Sequence, residues 1–191
     1  MRRAVITGLG PVTPVGTGKE AFWAGLRSDQ SAVRRISAFD PASLRIQIAA
    51  EVRDFDPSVY LDAGQSGLDR CAQFAVAAAQ LAVQDAGLDM ANETGGRMGV
   101  CMGSALGGTG FTETGAPTVI RGSGSCEIAI DQGITGPVST NSNSCASGTI
   151  ALGEALAAIR WGQADIVLAG GAEAPVSPVC MGAFSRMWAM S

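Results

Sequence analysis

The chain has 191 residues, 47% of them hydrophobic and 16% charged, with 26 glycines; that suits one well-buried α/β domain and excludes a disordered or fibrous chain. A formal net charge of −4 argues against a nucleic-acid partner, because phosphate binding needs clustered Lys and Arg. There is no histidine, and the five cysteines are widely spaced, so a self-contained Cys-His or Ser-His catalytic unit, a disulfide scaffold and a zinc site are all unexpected.

Arg2 and Arg3 precede an apolar run that stops at Gly8 and Pro11, too short for a signal-peptide core or a membrane span, so a cytoplasmic chain is expected. The mean hydropathy of +0.24 is high for a soluble domain. Either a core of small residues or an apolar interface accounts for it.

In chain order, Ala4 to Thr7 reads as a buried first strand entering the tight turn Thr7-Gly8-Leu9-Gly10. Lys19 to Leu26 has helical spacing, with Phe22, Trp23 and Leu26 on one side and Gly25 breaking its end. Ile46, Ile48 and Ala50 alternate with Gln47, Ala49 and Glu51, as in a half-exposed strand. Asp54 to Gly67 is a loop. Leu68 to Ala86 is the clearest helix of the first half, with a face of Ala72, Ala75, Ala79, Ala82, Val83 and Ala86, and with Gly87 placed as its C-terminal cap.

Arg97 to Ser104 predicts a buried strand, Gly103 to Gly124 an irregular glycine-rich segment, and Glu127 to Ile130 a helix end or short strand. Ser139 to Ser144 is polar and β-compatible, and Cys145 to Trp161 a second small-residue helix ending at Gly162. Ile166 to Ala169 is a third strand, followed by the Gly170-Gly171 turn. Alternating strands and helices indicate α/β layers. The chain stops at Ser191 directly after the apolar stretch Met181 to Met190 with no terminal cap, as a truncated chain would.

The segment Asn141-Ser142-Asn143-Ser144-Cys145-Ala146-Ser147-Gly148-Thr149 is the one suited to carry chemistry. An extended polar run turns directly into an Ala- and Gly-rich helix, which places Cys145 at or near the helix N-terminus. Unpaired N–H groups and the helix dipole there favour a thiolate and could hold a thioester oxyanion. Ala146, Ser147 and Gly148 are small enough to admit an acyl chain or a partner backbone. A lone cysteine is more often a small buried hydrophobe. Cys71, Cys101, Cys126 and Cys180 fit that ordinary description, and only Cys145 has an activating position.

The ordered motifs resemble the condensing enzymes of fatty acid synthesis, the β-ketoacyl-acyl carrier protein synthase II class. They run from Ala4-Val5-Ile6-Thr7-Gly8-Leu9-Gly10 and Pro14-Val15-Gly16 through Phe39-Asp40, Leu68-Asp69-Arg70 and Gln73-Phe74-Ala75. They continue with Gly103-Ser104-Ala105-Leu106-Gly107-Gly108, Gly136-Pro137, Ser144-Cys145-Ala146-Ser147-Gly148-Thr149, Ala164 to Glu173 and Ala189-Met190-Ser191. The resemblance implies the amino-terminal half of a thiolase-like α/β fold, a mixed sheet between helices, with the second half absent. It implies that Cys145 takes an acyl group from acyl carrier protein, and that malonyl-carrier protein then condenses with it after losing carbon dioxide. No metal or organic cofactor is expected, and a homodimer is. By the resemblance Leu106 would line the acyl tunnel, where a β-branched or larger apolar side chain would limit chain length, although an ordinary loop residue would look the same; the small Ser147 and Gly148 are the other expected substrate-binding residues.

Three departures accompany the resemblance. The family's catalytic histidines and lysine belong to its second half, so this chain alone is expected to condense poorly or not at all. The stretch between Gly108 and Gly133 is shorter than in relatives, which puts the tunnel wall and the dimer in question. Before Asp69 the relatives carry several basic residues, where this chain retains only Arg70, so steering of an acidic carrier protein is expected to be weaker. Two other readings remain open. One is a non-catalytic half-domain in a hetero-complex. The other is a dinucleotide-binding oxidoreductase, suggested by the glycines of Thr7-Gly8-Leu9-Gly10 with Gly16 and opposed by Pro11 and Pro14, which remove N–H donors.

Overall fold

The computed structural model describes residues 2–65, 67–108, 124–188 and 190. In chain order its elements are β1 (Val12–Thr13), β2 (Gly16–Thr17), α1 (Lys19–Arg27), β3 (Val33–Arg35), β4 (Ile48–Ala50), α2 (Arg70–Ala86), β5 (Met98–Gly103), α3 (Gly124–Asp131), β6 (Val138–Asn141), α4 (Ser147–Arg160), β7 (Ile166–Gly171) and α5 (Pro178–Arg186). Strands β1 and β2, and β3 and β4, form two antiparallel pairs. The central sheet is parallel, with β5 between β6 and β7.

Every residue of β5 is buried, as expected of a central parallel strand covered on both faces. Its alternation sorts two cores. Met98, Val100 and Met102 join Ala72, Ala75, Val76 and Ala79 of α2 and Ile128 and Ala129 of α3. Cys101, on the opposite face, meets Ala151 and Ala155 of α4, with Val167 and Ala169 of β7 beside them. Val76, Met98, Val100 and Ile128 are among the side chains almost fully removed from solvent, each burial contributing about 1.5–3 kcal/mol.

Helix α2 starts where its capping chemistry starts. Asp69 accepts the Cys71 N–H at 2.8 Å, so Leu68 and Asp69 precede the helix instead of opening it. Gly87 ends it in the left-handed region at φ 64°, which glycine adopts without a Cβ penalty.

The expected first strand is not present. Ala4 to Thr7 has no strand pairing, and Val5 and Ile6 are 71% and 80% exposed. The following backbone instead lies tight against α2: a Cβ on Gly8 would fall 2.1 Å from the Ala82 carbonyl oxygen, and one on Gly10 would fall 1.8 Å from that of Ala78. These glycines serve helix contact, and no described strand completes a ladder with residues 4–7. Gly25 likewise does not end α1, which runs on to Arg27; its missing Cβ admits the Val15 carbonyl oxygen. Trp23 and Leu26 are exposed, leaving Phe22 as the half-buried member of the expected apolar side. Glu127 to Ile130 belongs to α3, and β4 is shorter than the alternating run. Helix α5, which the apolar composition of residues 181–190 concealed, begins with Ser177 as its N-cap and Pro178 in its first turn.

Candidate active site

Strand β6 delivers the chain to the C-terminal edge of the central sheet, where parallel α/β sheets place their sites. A single 3-10 turn, Ser144–Ala146, separates it from α4, and Cys145 is exposed in the middle of that turn. The helix therefore opens two residues later than its composition suggests. Ser144 has φ 52°, a left-handed conformation that a side chain adopts only when its surroundings impose it.

The surroundings are specific. The Ser147 hydroxyl accepts the Asn143 N–H at 2.8 Å and donates to the Ser144 carbonyl at 2.7 Å. The Asn141 amide donates to the Ser147 carbonyl at 3.1 Å, and the Asn143 amide to the Asn141 side-chain oxygen at 3.1 Å. Ser147 itself is 3% exposed. Strand β5 approaches it closely because Gly103 has no side chain: a Cβ there would lie 2.2 Å from the Ser147 carbonyl carbon. Gly171, at the end of β7, approaches Gly148 less tightly, a Cβ there falling 3.1 Å from the Gly148 Cα.

A second turn, residues 104–107, leaves β5 beside the first. Ser104 N–H donates to the Asn141 carbonyl at 3.1 Å, and the Ser142 hydroxyl to that of Ala105 at 3.3 Å. Its anchor is Glu173, just past β7. One carboxylate oxygen accepts the N–H groups of Ala105 at 2.7 Å and Leu106 at 3.1 Å, while the Ser104 hydroxyl bonds the same carboxylate. Leu106 is 41% exposed on this turn. Sequence reasoning missed the roles of Glu173, Ser104, Asn141 and Asn143. Gly170 and Gly171 belong to β7 and do not form the expected turn, so the available signal was an acidic residue two positions past a strand end, where only a set of donors makes a carboxylate acceptable.

Buried cysteines contrast with Cys145. The Cys71 thiol donates to the Ala172 carbonyl at 3.2 Å, and burial, reinforced by the nearby Glu173 charge, pushes it up to about 12. Burial also pushes Cys101 up. Both therefore stay protonated thiols at neutral pH. Cys180 is buried as well, and Cys126 is exposed on α3. No group of three or more His, Cys, Asp or Glu side chains suited to a metal ion occurs among the described residues.

Arg70 is committed inside the fold. Its guanidinium lies 4.6 Å from the Phe55 ring and 4.7 Å from the Phe74 ring, and it donates to the Val52 carbonyl. Clefts of about 270 Å³ beside Thr13 and Arg53, and about 520 Å³ between Arg45 and α5, are not lined by Cys145, Leu106, Ser147 or Gly148. Most of the segment between Gly108 and Gly133 in which a shortening is expected, residues 109–123, lies outside the described residues. No helix among the described residues is long and apolar enough to cross a membrane.

Residues 1–191 match the family "Beta-ketoacyl synthase, N-terminal domain". This chain belongs to the beta-ketoacyl synthases. It is 41% identical over 214 residues to the Streptomyces halstedii protein named "Putative polyketide beta-ketoacyl synthase 1", covering 100% of this chain and 50% of that one. It is 30% identical over 207 residues to 3-oxoacyl-[acyl-carrier-protein] synthase 2 of Staphylococcus aureus strain N315, with the same coverage. The ketosynthase chain thus spans about half the length of these relatives. Among solved structures, the ishigamide ketosynthase/chain length factor superposes with a TM-score of 0.86 at 31% identity, over 98% of this chain and 51% of that one. A type II polyketide ketosynthase in complex with its acyl-carrier protein gives a TM-score of 0.78 at 30% identity, over 98% and 49%. The fold is accordingly the mixed α/β amino-terminal half of a ketosynthase.

Proposed function

We propose that this half-chain carries the acyl-accepting nucleophile of a 3-oxoacyl-acyl carrier protein synthase of fatty acid or polyketide synthesis. The observation that carries the reading is the exposure of Cys145 on a braced turn directly ahead of α4, at the C-terminal edge of the sheet. The Cys145 sulfur attacks the carbonyl of an acyl-carrier thioester, and the carrier's thiol leaves. Loss of carbon dioxide from a malonyl-carrier then yields a carbanion that attacks the Cys145 thioester. The product is a 3-oxoacyl-carrier, and the cysteine sulfur is released.

Helix N-termini favour such developing negative charge. Leu106, on the adjoining turn, would meet the acyl chain, and Gly148 leaves the start of α4 without a side chain. No histidine exists in the 191 residues, so the proton transfers and the electrostatic help for decarboxylation require groups outside this chain. A dimer of ketosynthase-like subunits and an acidic carrier protein are the partners this reading implies. With Arg70 held between Phe55 and Phe74, basic groups elsewhere would have to receive the carrier.

The dinucleotide alternative has no support in the geometry, since Gly8 and Gly10 are pressed against α2 and leave no cradle for a pyrophosphate. The test is acyl transfer. Incubation with an acyl-carrier protein thioester, followed by peptide mass spectrometry, is expected to place one acyl group on Cys145, and Cys145→Ser should abolish it. A folded chain that remains unacylated at Cys145, or acylates its cysteines indiscriminately, would refute the assignment.

A further inference from the structure

We propose that Ser147 is a positioning residue whose buried hydroxyl sets the turn that presents Cys145. The inference rests on the reading of Cys145 as the acyl acceptor and deepens it, since Ser147 would act through the nucleophile and not by touching the acyl chain.

Ser147 is buried within a turn whose neighbours Asn143, Ser144, Cys145 and Ala146 are all exposed. Its hydroxyl is used in both directions: it accepts from Asn143 N–H and donates to the Ser144 carbonyl. These two bonds bracket the one left-handed residue of the loop, Ser144 at φ 52°, immediately before Cys145. The Ser144 carbonyl also receives the Ser147 backbone N–H, so one residue holds the turn through its side chain and its main chain together. Ser147 is in turn fixed to the sheet. The Asn141 amide holds its carbonyl, and Gly103 lets β5 press directly against its backbone. Position is thus passed from the rigid strands β5 and β6, through Ser147, to the turn.

Without the hydroxyl, the Asn143 N–H loses its partner and the Ser144 carbonyl loses one of its two bonds, leaving the backbone N–H bonds of Ala146 and Ser147 to oppose relaxation of Ser144 to a negative φ. That relaxation redirects the following residue, Cys145. Glycine freedom does not operate at 144, so the conformation depends on the brace.

The test uses the full chain and three variants: Ser147→Ala, Ser147→Thr, which keeps a hydroxyl, and Ser147→Val, which matches threonine in shape without one. Acyl transfer from an acyl-carrier protein thioester and iodoacetamide labelling over a pH series are followed at each cysteine by peptide mass spectrometry. Cys145 is expected to react at least roughly tenfold more slowly in the alanine and valine variants, because reaction rates are sensitive to displacements of about an ångström. Both Cys145 rates should recover in the threonine variant. Cys126 should label as in the unaltered chain, with Cys71, Cys101 and Cys180 still protected. Unchanged Cys145 kinetics in the alanine and valine variants would overturn the inference, as would a threonine variant no better than valine, or a loss that comes only with general exposure of the buried cysteines. If the unaltered chain shows no preference for Cys145 over Cys126, the acyl-acceptor reading itself fails.

Discussion

The backbone N–H of Leu106 donates to the carboxylate of Glu173 at 3.1 Å. Because Ala105 N–H and the Ser104 hydroxyl converge on the same group, the turn bearing Leu106 is fastened to the end of β7 by a single side chain. The Cys145 turn is tied to it through Ser142 and Ala105, so the two turns form one edge structure.

Glu173→Ala should therefore destabilise the fold by about 1–3 kcal/mol, the usual penalty for stranding partly buried donors. Glu173→Gln keeps an oxygen acceptor but loses the charge-assisted strength of the bonds, so its loss should be smaller. Urea unfolding ranks the variants, and amide hydrogen exchange should accelerate at Ala105 and Leu106 before it does in β5. Equal stability of all three proteins would show that the turn holds itself.

Leu106 should separate stability from selectivity. At 41% exposed it buries only part of its side chain, so Leu106→Ala is expected to change unfolding free energy by less than about 1.5 kcal/mol. If it meets the acyl chain, Leu106→Trp should shift acyl transfer to Cys145 toward shorter donors. Competition between short and long acyl-carrier thioesters, read by mass spectrometry, measures this. An unaltered product ratio would leave Leu106 as an ordinary loop residue.

What was legible in the sequence was what local chemistry decides. The alanine periodicity and Gly87 define α2, the compact apolar run defines β5, and the junction of polar strand and small-residue helix locates Cys145. What stayed hidden depends on groups distant in sequence. Ala4 to Thr7 looks like a strand because it is apolar, but pairing requires a neighbour that no local pattern reveals. Gly25 looks like a helix stop, whereas its function is to admit the Val15 carbonyl. Glu173 and Ser104 are 69 residues apart, and neither one alone signals a brace. Arg70 reads as a carrier contact, and no local pattern reveals that Phe55, fifteen residues earlier in the chain, lies under its guanidinium.

Gly103 and Gly153 make a paired test of how closely the site is packed. A Cβ at Gly103 would collide with the Ser147 backbone at 2.2 Å, whereas one at Gly153, exposed on α4, meets nothing within 4 Å. Gly103→Ala should cost about 1–3 kcal/mol through overpacking and slow acylation of Cys145. Gly153→Ala should instead stabilise by about 0.5–1 kcal/mol through helix propensity, leaving acylation untouched. Thermal unfolding of the two variants with parallel acyl-transfer assays distinguishes them, and similar behaviour at both positions would contradict the packing described.

Asp165 predicts a specific acid response. Its carboxylate accepts from Arg97 at 2.8 and 2.9 Å and from Arg2 at 2.6 Å, and these bonds, Arg97's first, hold it down at about 2, below its ordinary 3.8. A depressed carboxylate contributes stability that is fully present above the unfolded value and is lost as pH falls through the folded one. The advantage of the natural chain over Asp165→Asn should thus be constant near neutrality and shrink between 3.8 and about 2. Because the cluster is about half exposed, added salt should diminish that advantage at neutral pH. Urea unfolding of both proteins across this range tests the point, and a difference that grew on acidification would mean that Asp165 is not held by Arg97 in solution.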